Sequence, residues 1–159
     1  MTPQLKWPND VLIDGHKCAG ILIEAEVGGS GAGTSAQRRA VIGFGVNIAH
    51  HPQDATVPAT HLERHAPAAT PASVFAALRQ SLARTLDRLA TSDGPRYVRE
   101  RWLERAIGIG GPVTVRYEQE NIEGQFLGLD PSGRLILGQD GGATRLIAAG
   151  DVFVRAERL

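Results

Sequence analysis

Three short segments hold the residues best suited to chemistry on a small molecule. The first, Lys6-Trp7-Pro8-Asn9-Asp10, sets a cation, a large aromatic ring, an amide and a carboxylate side by side. Pro8 fixes its own φ and biases Trp7 towards an extended backbone, so Asn9 and Asp10 stand at the mouth of a strand. Two readings fit it. One is a strand entry with a half-buried tryptophan and an Asn-Asp turn. The other is a site where Asp10 holds a divalent cation beside phosphates and Lys6 adds positive charge. The second segment begins at Lys17, just past Asp14-Gly15. A lone hairpin lysine is ordinarily a solvated charge. Here the following strand, Ala19 to Glu24, is apolar enough for burial, and small residues at 19 and 20 permit close approach of a ligand. Lys17 could therefore pair with a carboxylate or phosphate. The third segment, Gly43-Phe44-Gly45-Val46-Asn47, carries two glycines in an apolar run, which a bulge or tight packing would explain.

Several other patterns carry less. Gly43 to Asn47 is not a dinucleotide fingerprint, because the third glycine is missing and no helix follows directly. Gly28 to Ser35 lacks the Gly-Lys-Ser/Thr ending of a phosphate-binding loop and reads as a flexible linker. His50, His51, His61 and His65 have neither cysteine partners nor an HExxH pattern, so they read as solvent-exposed loop histidines rather than a zinc site. Cys18 has no nucleophile context and reads as a buried, inert thiol.

The elements that must position these residues follow from pattern. Val11 to Ile13 and Ala19 to Val27 are β-rich runs around Asp14-Gly15, a tight hairpin turn, and Ala40 to Ile48 gives a third strand. Residues 49 to 70 show no clear period and read as an extended surface loop. Thr70-Pro71 supplies an N-cap and a proline at the first helical position. Phe75, Leu78, Leu82, Leu86 and Leu89 then form one apolar stripe, read as core packing, of a helix running to about Ala90. Tyr97, Val98, Trp102 and Leu103 suggest a shorter helix ending near Gly108, Gly110 and Gly111. Five short strands follow from Pro112 on, a small barrel with few contacts crossing that glycine hinge.

Length and composition bound what such a chain can do. Its 159 residues allow one domain, or one plus a small appendage. With 42% hydrophobic and 21% charged residues it can pack a core. Seventeen basic side chains balance seventeen acidic ones, so no global field recruits nucleic acid or an anionic membrane. A single cysteine forms no intrachain disulfide, and no apolar run approaches the ~18 residues of a membrane span. A cytoplasmic location is the expectation by default.

KWPND at 6–10, KCAGILIE at 17–24 behind a glycine-lysine hairpin, and GFGVNI at 43–48 together resemble, in order and spacing, the catalytic-domain motifs of the biotin protein ligases. The helical pair and C-terminal barrel extend that resemblance over nearly the whole chain. It implies an α+β fold: part of a class II synthetase-like mixed sheet with helices, of the biotin/lipoate ligase type, then a small SH3-like β-barrel. Residues 1–110 would be the C-terminal part of the catalytic domain and residues 111–159 the barrel. The implied activity uses ATP and Mg²⁺ to convert biotin into biotinyl-5'-AMP, then passes biotin to a lysine of a biotin carboxyl carrier domain. Lys17 would contact the biotin carboxylate and the adenylate phosphate, Asp10 would act with it and hold Mg²⁺, and Gly20 and Ile21 would border biotin. Lys6, Trp7, Asn9, Gly43, Gly45 and Asn47 would line the nucleotide, with Asn47 bonded to adenine. The family's glycine- and arginine-rich loop normally precedes KWPND, and only MTPQL stands there. The expectation is thus a chain that is inactive or impaired alone. Its alternative is a non-catalytic nucleotide- or carrier-binding module. Lipoate-ligase chemistry is a rival that KWPND argues against. No nucleic acid or membrane partner and no repressor activity is expected, and a homodimer is left open.

Overall fold

The structure is a computed structural model that describes residues 2–27, 38–54, 57–117 and 120–154. The linker expected at 28–35 lies outside the described residues. Two antiparallel sheets and two helices make up the fold. The first sheet runs in order β1 (Gln4–Lys6), β2 (Asp10–Ile13), β3 (His16–Val27), β4 (Arg38–Val46). Asp14 and Gly15, with φ of 50° and 75°, make the two-residue turn between β2 and β3. Positive φ at both centres is what a right-twisted hairpin demands, and Asp-Gly meets it at least cost. Strand β1 escapes sequence reading because three residues show no alternation. Parallel pairing enters through isolated bridges, Leu5 with Ala106 and Lys17 with Ala59.

Helix α1 (Pro71–Leu89) starts with a reciprocal capping box. The Ser73 amide donates to Thr70 Oγ1 at 3.2 Å, and the Thr70 amide donates to Ser73 Oγ at 3.0 Å. Its apolar stripe is not core, in contrast to the sequence expectation. No residue of α1 is fully buried, and Phe75 is 69% exposed. Periodicity locates an apolar face but not its cover, and the only described helix or strand packed closely on α1 is α2 (Gly94–Leu103).

The second sheet, ordered β8-β7-β6-β5-β9, is formed by β5 (Pro112–Tyr117), β6 (Glu120–Leu129), β7 (Leu135–Gly138), β8 (Thr144–Ile147) and β9 (Asp151–Val154). Its inward residues Val113, Val115, Ile122, Phe126, Leu135, Leu137, Ile147 and Val152 make one buried cluster. The ninth member is Trp7, from the loop after β1. Its indole donates to the Gly133 carbonyl at 3.1 Å, in a turn that buried Asp130 braces by accepting from the Ser132 and Arg134 amides. The sequence predicts few contacts across Gly108–Gly111. Contacts across it include this deep anchor, with Trp102 packed beside it, the packing of α2 on β6, and Lys6 over the Phe153 ring.

Candidate active site

Lys17 reaches its working position through a bulge. Asp10 pairs with Gly20 and Val11 with Ala19, but Leu12 pairs with Lys17, leaving Cys18 as the extra residue of β3. Side chains alternate along a strand, so Lys17 and Gly20 would otherwise point to opposite faces. The bulge restores Lys17 to the face shared by Asp10 and Gly20. There its ammonium lies 2.6 Å from Asp10 Oδ1, while Lys6 Nζ is 3.6 Å from Asp10 Oδ2. Asp10 is nearly buried, and two cations on one carboxylate leave a net positive charge at this spot.

The backbone of Lys17 is clamped from the long loop. Its amide donates to the Pro58 carbonyl at 2.8 Å, and its carbonyl accepts from the Thr60 amide at 2.9 Å and from Asn47 Nδ2 at 3.4 Å. The same Nδ2 donates to the Thr60 carbonyl at 3.0 Å. Asn47 thus ties β4, Lys17 and the loop together. Sequence reading missed Pro58 and Thr60, since nothing local marks a loop that pairs with a strand some forty residues upstream. Cys18, as expected, is buried, and burial raises its thiol pKa.

Asn9, Asp10, Lys17, Gly20, Ile21, Leu22, Gly43, Phe44 and Gly45 line an open cleft of about 440 Å³. Asn9 holds one wall: its Nδ2 donates to the Ile21 carbonyl at 2.6 Å, and the Ile21 amide donates back to the Asn9 carbonyl at 3.0 Å. Gly20 pairs with Gly45 and Leu22 with Gly43, so three glycines share the floor. A Cβ on any of them would meet only ordinary contacts, the nearest at 3.5 Å. Among the described residues nothing requires glycine there, and the missing side chains leave space for a ligand.

Three expected site residues do not line the cleft, and of these Lys6 stays beside it through its contact with Asp10. Trp7 faces the barrel core, and Asn47 lies outside the cleft, in the wall of a separate hollow with His50 and His51. The histidines differ from expectation too. His51 and His61 share a 2.8 Å Nδ1–Nδ1 hydrogen bond, and His65 bonds Thr60 Oγ1 at 2.9 Å; of the four only His50 is exposed, the others being half-buried. A larger groove of about 680 Å³ crosses the barrel at Gly124 and Gly138, and none of the expected site residues lines it.

Asp10, the residue expected to hold Mg²⁺, is the one carboxylate among the described residues lining the cleft, and it is paired with Lys17 and Lys6. Among the described residues no three His, Cys, Asp or Glu side chains gather as ligands, and two ammonium groups already occupy the carboxylate. Asp10 is better suited as their counter-ion.

The α+β fold is shared with solved biotin protein ligases. Residues 108–155 match the family described as biotin protein ligase C terminal domain. The chain is 37% identical over 155 residues, 94% of its length, to a biotin–[acetyl-CoA-carboxylase] ligase of Paracoccus denitrificans, and covers 62% of that protein. It is 34% identical over 151 residues to the ligase of the same name from Mycobacterium tuberculosis (strain ATCC 25618 / H37Rv), spanning 93% of the chain and 52% of the relative. The apo biotin protein ligase of Aquifex aeolicus superposes with a TM-score of 0.76 at 20% identity, over 98% of this chain and 66% of that one. That enzyme in complex with biotin and ATP gives 0.74 at 20% identity, over 98% and 62%. The chain is a relative of the biotin protein ligases, and it spans between about half and two thirds of the length of these relatives.

Proposed function

We propose that this chain carries part of an ATP-dependent biotin ligase, and that the cleft over Gly20, Gly43 and Gly45 takes biotin and the nucleotide. The observation that carries the reading is the Lys17–Asp10 pair at 2.6 Å, opening onto a floor without side chains. In the reaction the biotin carboxylate attacks the α-phosphate of ATP and pyrophosphate leaves. An amine of a carrier-domain lysine then attacks the acyl carbon and AMP leaves. An anion attacking an anion needs cations, and Lys17 and Lys6 supply them as fixed charges with Asp10 orienting both. ATP enters as its magnesium complex, the ion carried by the phosphates. Gly20 and Ile21 border biotin; Asn9, Gly43 and Gly45 support the nucleotide. Asn47 acts by holding Lys17, and Trp7 by anchoring the segment to the barrel. Division into 1–110 and 111–159 and a cytoplasmic location are part of this reading; no described helix is long and apolar enough to cross a membrane.

A second reading, a nucleotide- or carrier-binding module without turnover, has its own support. Leu22 and Ile23 point to opposite faces of β3, yet are 63% and 61% exposed, so the sheet beside the cleft is uncovered on both sides. Slow turnover by the chain alone follows from so open a cleft. Calorimetric titration with biotin, ATP and a non-hydrolysable biotinyl-adenylate analogue tests both, followed by carrier biotinylation with and without the N-terminal part of a related ligase. Binding of the analogue that Lys17→Ala weakens about a hundredfold supports the site, on the scale of one preorganised donor. No binding of any of the three refutes it.

A further inference from the structure

Phe153 is an aromatic side chain with no core to fill. Alternation along β9 sends Val152 into the barrel cluster and Phe153 to the outer face, where it remains 39% exposed. Cations lie over its ring: Lys6 Nζ is 5.9 Å from the centroid and the Arg116 guanidinium carbon 5.2 Å. Arg116 is held in turn by Asp151, its partner in the β5–β9 ladder, at 2.8 Å. Lys6 meanwhile has a side chain only 17% exposed, with its ammonium 3.6 Å from Asp10. Asp10 takes the closer Lys17 on its other oxygen, so the Lys6 contact is the looser of the two. A flexible four-carbon stem needs a second restraint to stay there, and the negative face of an aromatic ring is one.

We propose that Phe153 is a positioning residue: from the last strand of the barrel, its ring holds the Lys6 ammonium beside Asp10 and thereby sets the affinity of the cleft for nucleotide phosphates. The proposal rests on the cleft being the nucleotide site. Lys6 and Trp7 are then both steered by the barrel, Trp7 through its core and Lys6, the last residue of β1, through its outer face, while Asp10 is held in β2. Phe153→Tyr keeps the ring face; Phe153→Leu keeps apolar bulk and removes it.

The test uses the full chain and two readouts. Protons above a ring face resonate upfield, so the Lys6 ε-methylene signals, assigned with Lys6→Met, are expected upfield in the wild type and in Phe153→Tyr, and at ordinary lysine positions in Phe153→Leu. Titration with ATP, and separately with inorganic pyrophosphate, is expected to show affinity about two- to fivefold weaker in Phe153→Leu, the range for a partly exposed cation–π contact. Phe153→Tyr should restore it, and Phe153→Leu should add nothing in the Lys6→Met background. Lys6 signals indifferent to Phe153→Leu, or an equal loss of ATP affinity in the Lys6→Met background, overturn the positioning role while leaving the nucleotide site intact. A ring-dependent Lys6 shift in a chain that binds neither ATP nor pyrophosphate overturns the nucleotide reading, and the claimed effect on phosphate affinity falls with it.

Discussion

The barrel and the four-stranded sheet spend their apolar residues in opposite ways. In the barrel, Val113, Val115, Phe126, Leu135, Leu137 and Val152 are each sealed from solvent, and the outer face carries charges together with the exposed Leu127, Leu146 and Phe153. In the sheet, Leu22, Ile23 and Val41 stand in water although their strands pair along their full length. Strand pairing satisfies backbone groups, but burial supplies most of the stabilisation, at roughly 25 cal/mol per Å² of apolar surface. The barrel therefore stabilises the chain and the sheet displays it. The proposed site lies on the displayed part, and Trp7 ties that part to the stable one.

The largest expected effect comes from cutting that brace. Trp7→Ala empties a buried aromatic position and should cost about 3–5 kcal/mol in denaturant unfolding of the whole chain. A loss below about 1 kcal/mol would mean that the barrel is indifferent to the segment that enters it.

A matched pair of glycine substitutions comes next. In the barrel, a Cβ at Gly124 would collide with the Gly138 carbonyl oxygen, so Gly124→Ala should destabilise by roughly 1–3 kcal/mol. At Gly20 the nearest atoms are 3.5 Å away, so Gly20→Ala should change stability by no more than about 0.5 kcal/mol while weakening biotin binding in the titrations above. Equal destabilisation in both would erase the contrast between a packed and an open region.

Smaller still is the effect of polar substitution on the displayed face. Val41→Thr should shift the midpoint of thermal unfolding hardly at all, within about 0.5 kcal/mol, and should raise solubility. A cost above about 1 kcal/mol would show that the face is packed in solution.

The smallest is confined to the corner between α1 and α2. Arg88 bonds both oxygens of Asp93, at 2.7 and 2.6 Å, and these bonds with that from Thr91 hold the Asp93 pKa down to about 2, from 3.8. A depressed carboxylate pKa stabilises the fold above the unfolded value and loses that contribution as pH falls towards 2. Asp93→Asn should remove this slice of the acid dependence without altering the neutral-pH fold, read by helical circular dichroism between pH 2 and pH 5. Added salt should shrink it, the pair being exposed.

What was legible in the sequence was local. Asp14-Gly15 announces its turn, Thr70-Pro71 its helix start, and the glycine-punctuated strands after Pro112 their sheet, because each signal acts within a few residues. KWPND was legible as a cluster of charged, polar and aromatic side chains but not as architecture: its tryptophan and its carboxylate face different parts of the molecule, and only the path of residues 130–133 shows where the indole goes. The loop pairing at Pro58 and Thr60 was hidden for the same reason. The stripe on α1 misled because a face suited to burial and a face that is buried look identical along a chain.

The extra residue in β3 has a last consequence, best put as arithmetic. The turn at Asp14-Gly15 pins one end of the hairpin, and the β3–β4 ladder from Ala19 onward pins the other. Between those pins the chain is one residue longer than its partner, and Cys18 is the remainder. Side chains on a strand obey parity, odd to one face and even to the other, and this remainder flips the parity of everything on its turn side. A substitution at Cys18 leaves the parity alone. Removing the residue would make the two stretches equal and leave Lys17 opposite Leu12 in a regular ladder, so the face that Lys17 shares with Gly20 is set by the count of residues between them and not by the letter at 18.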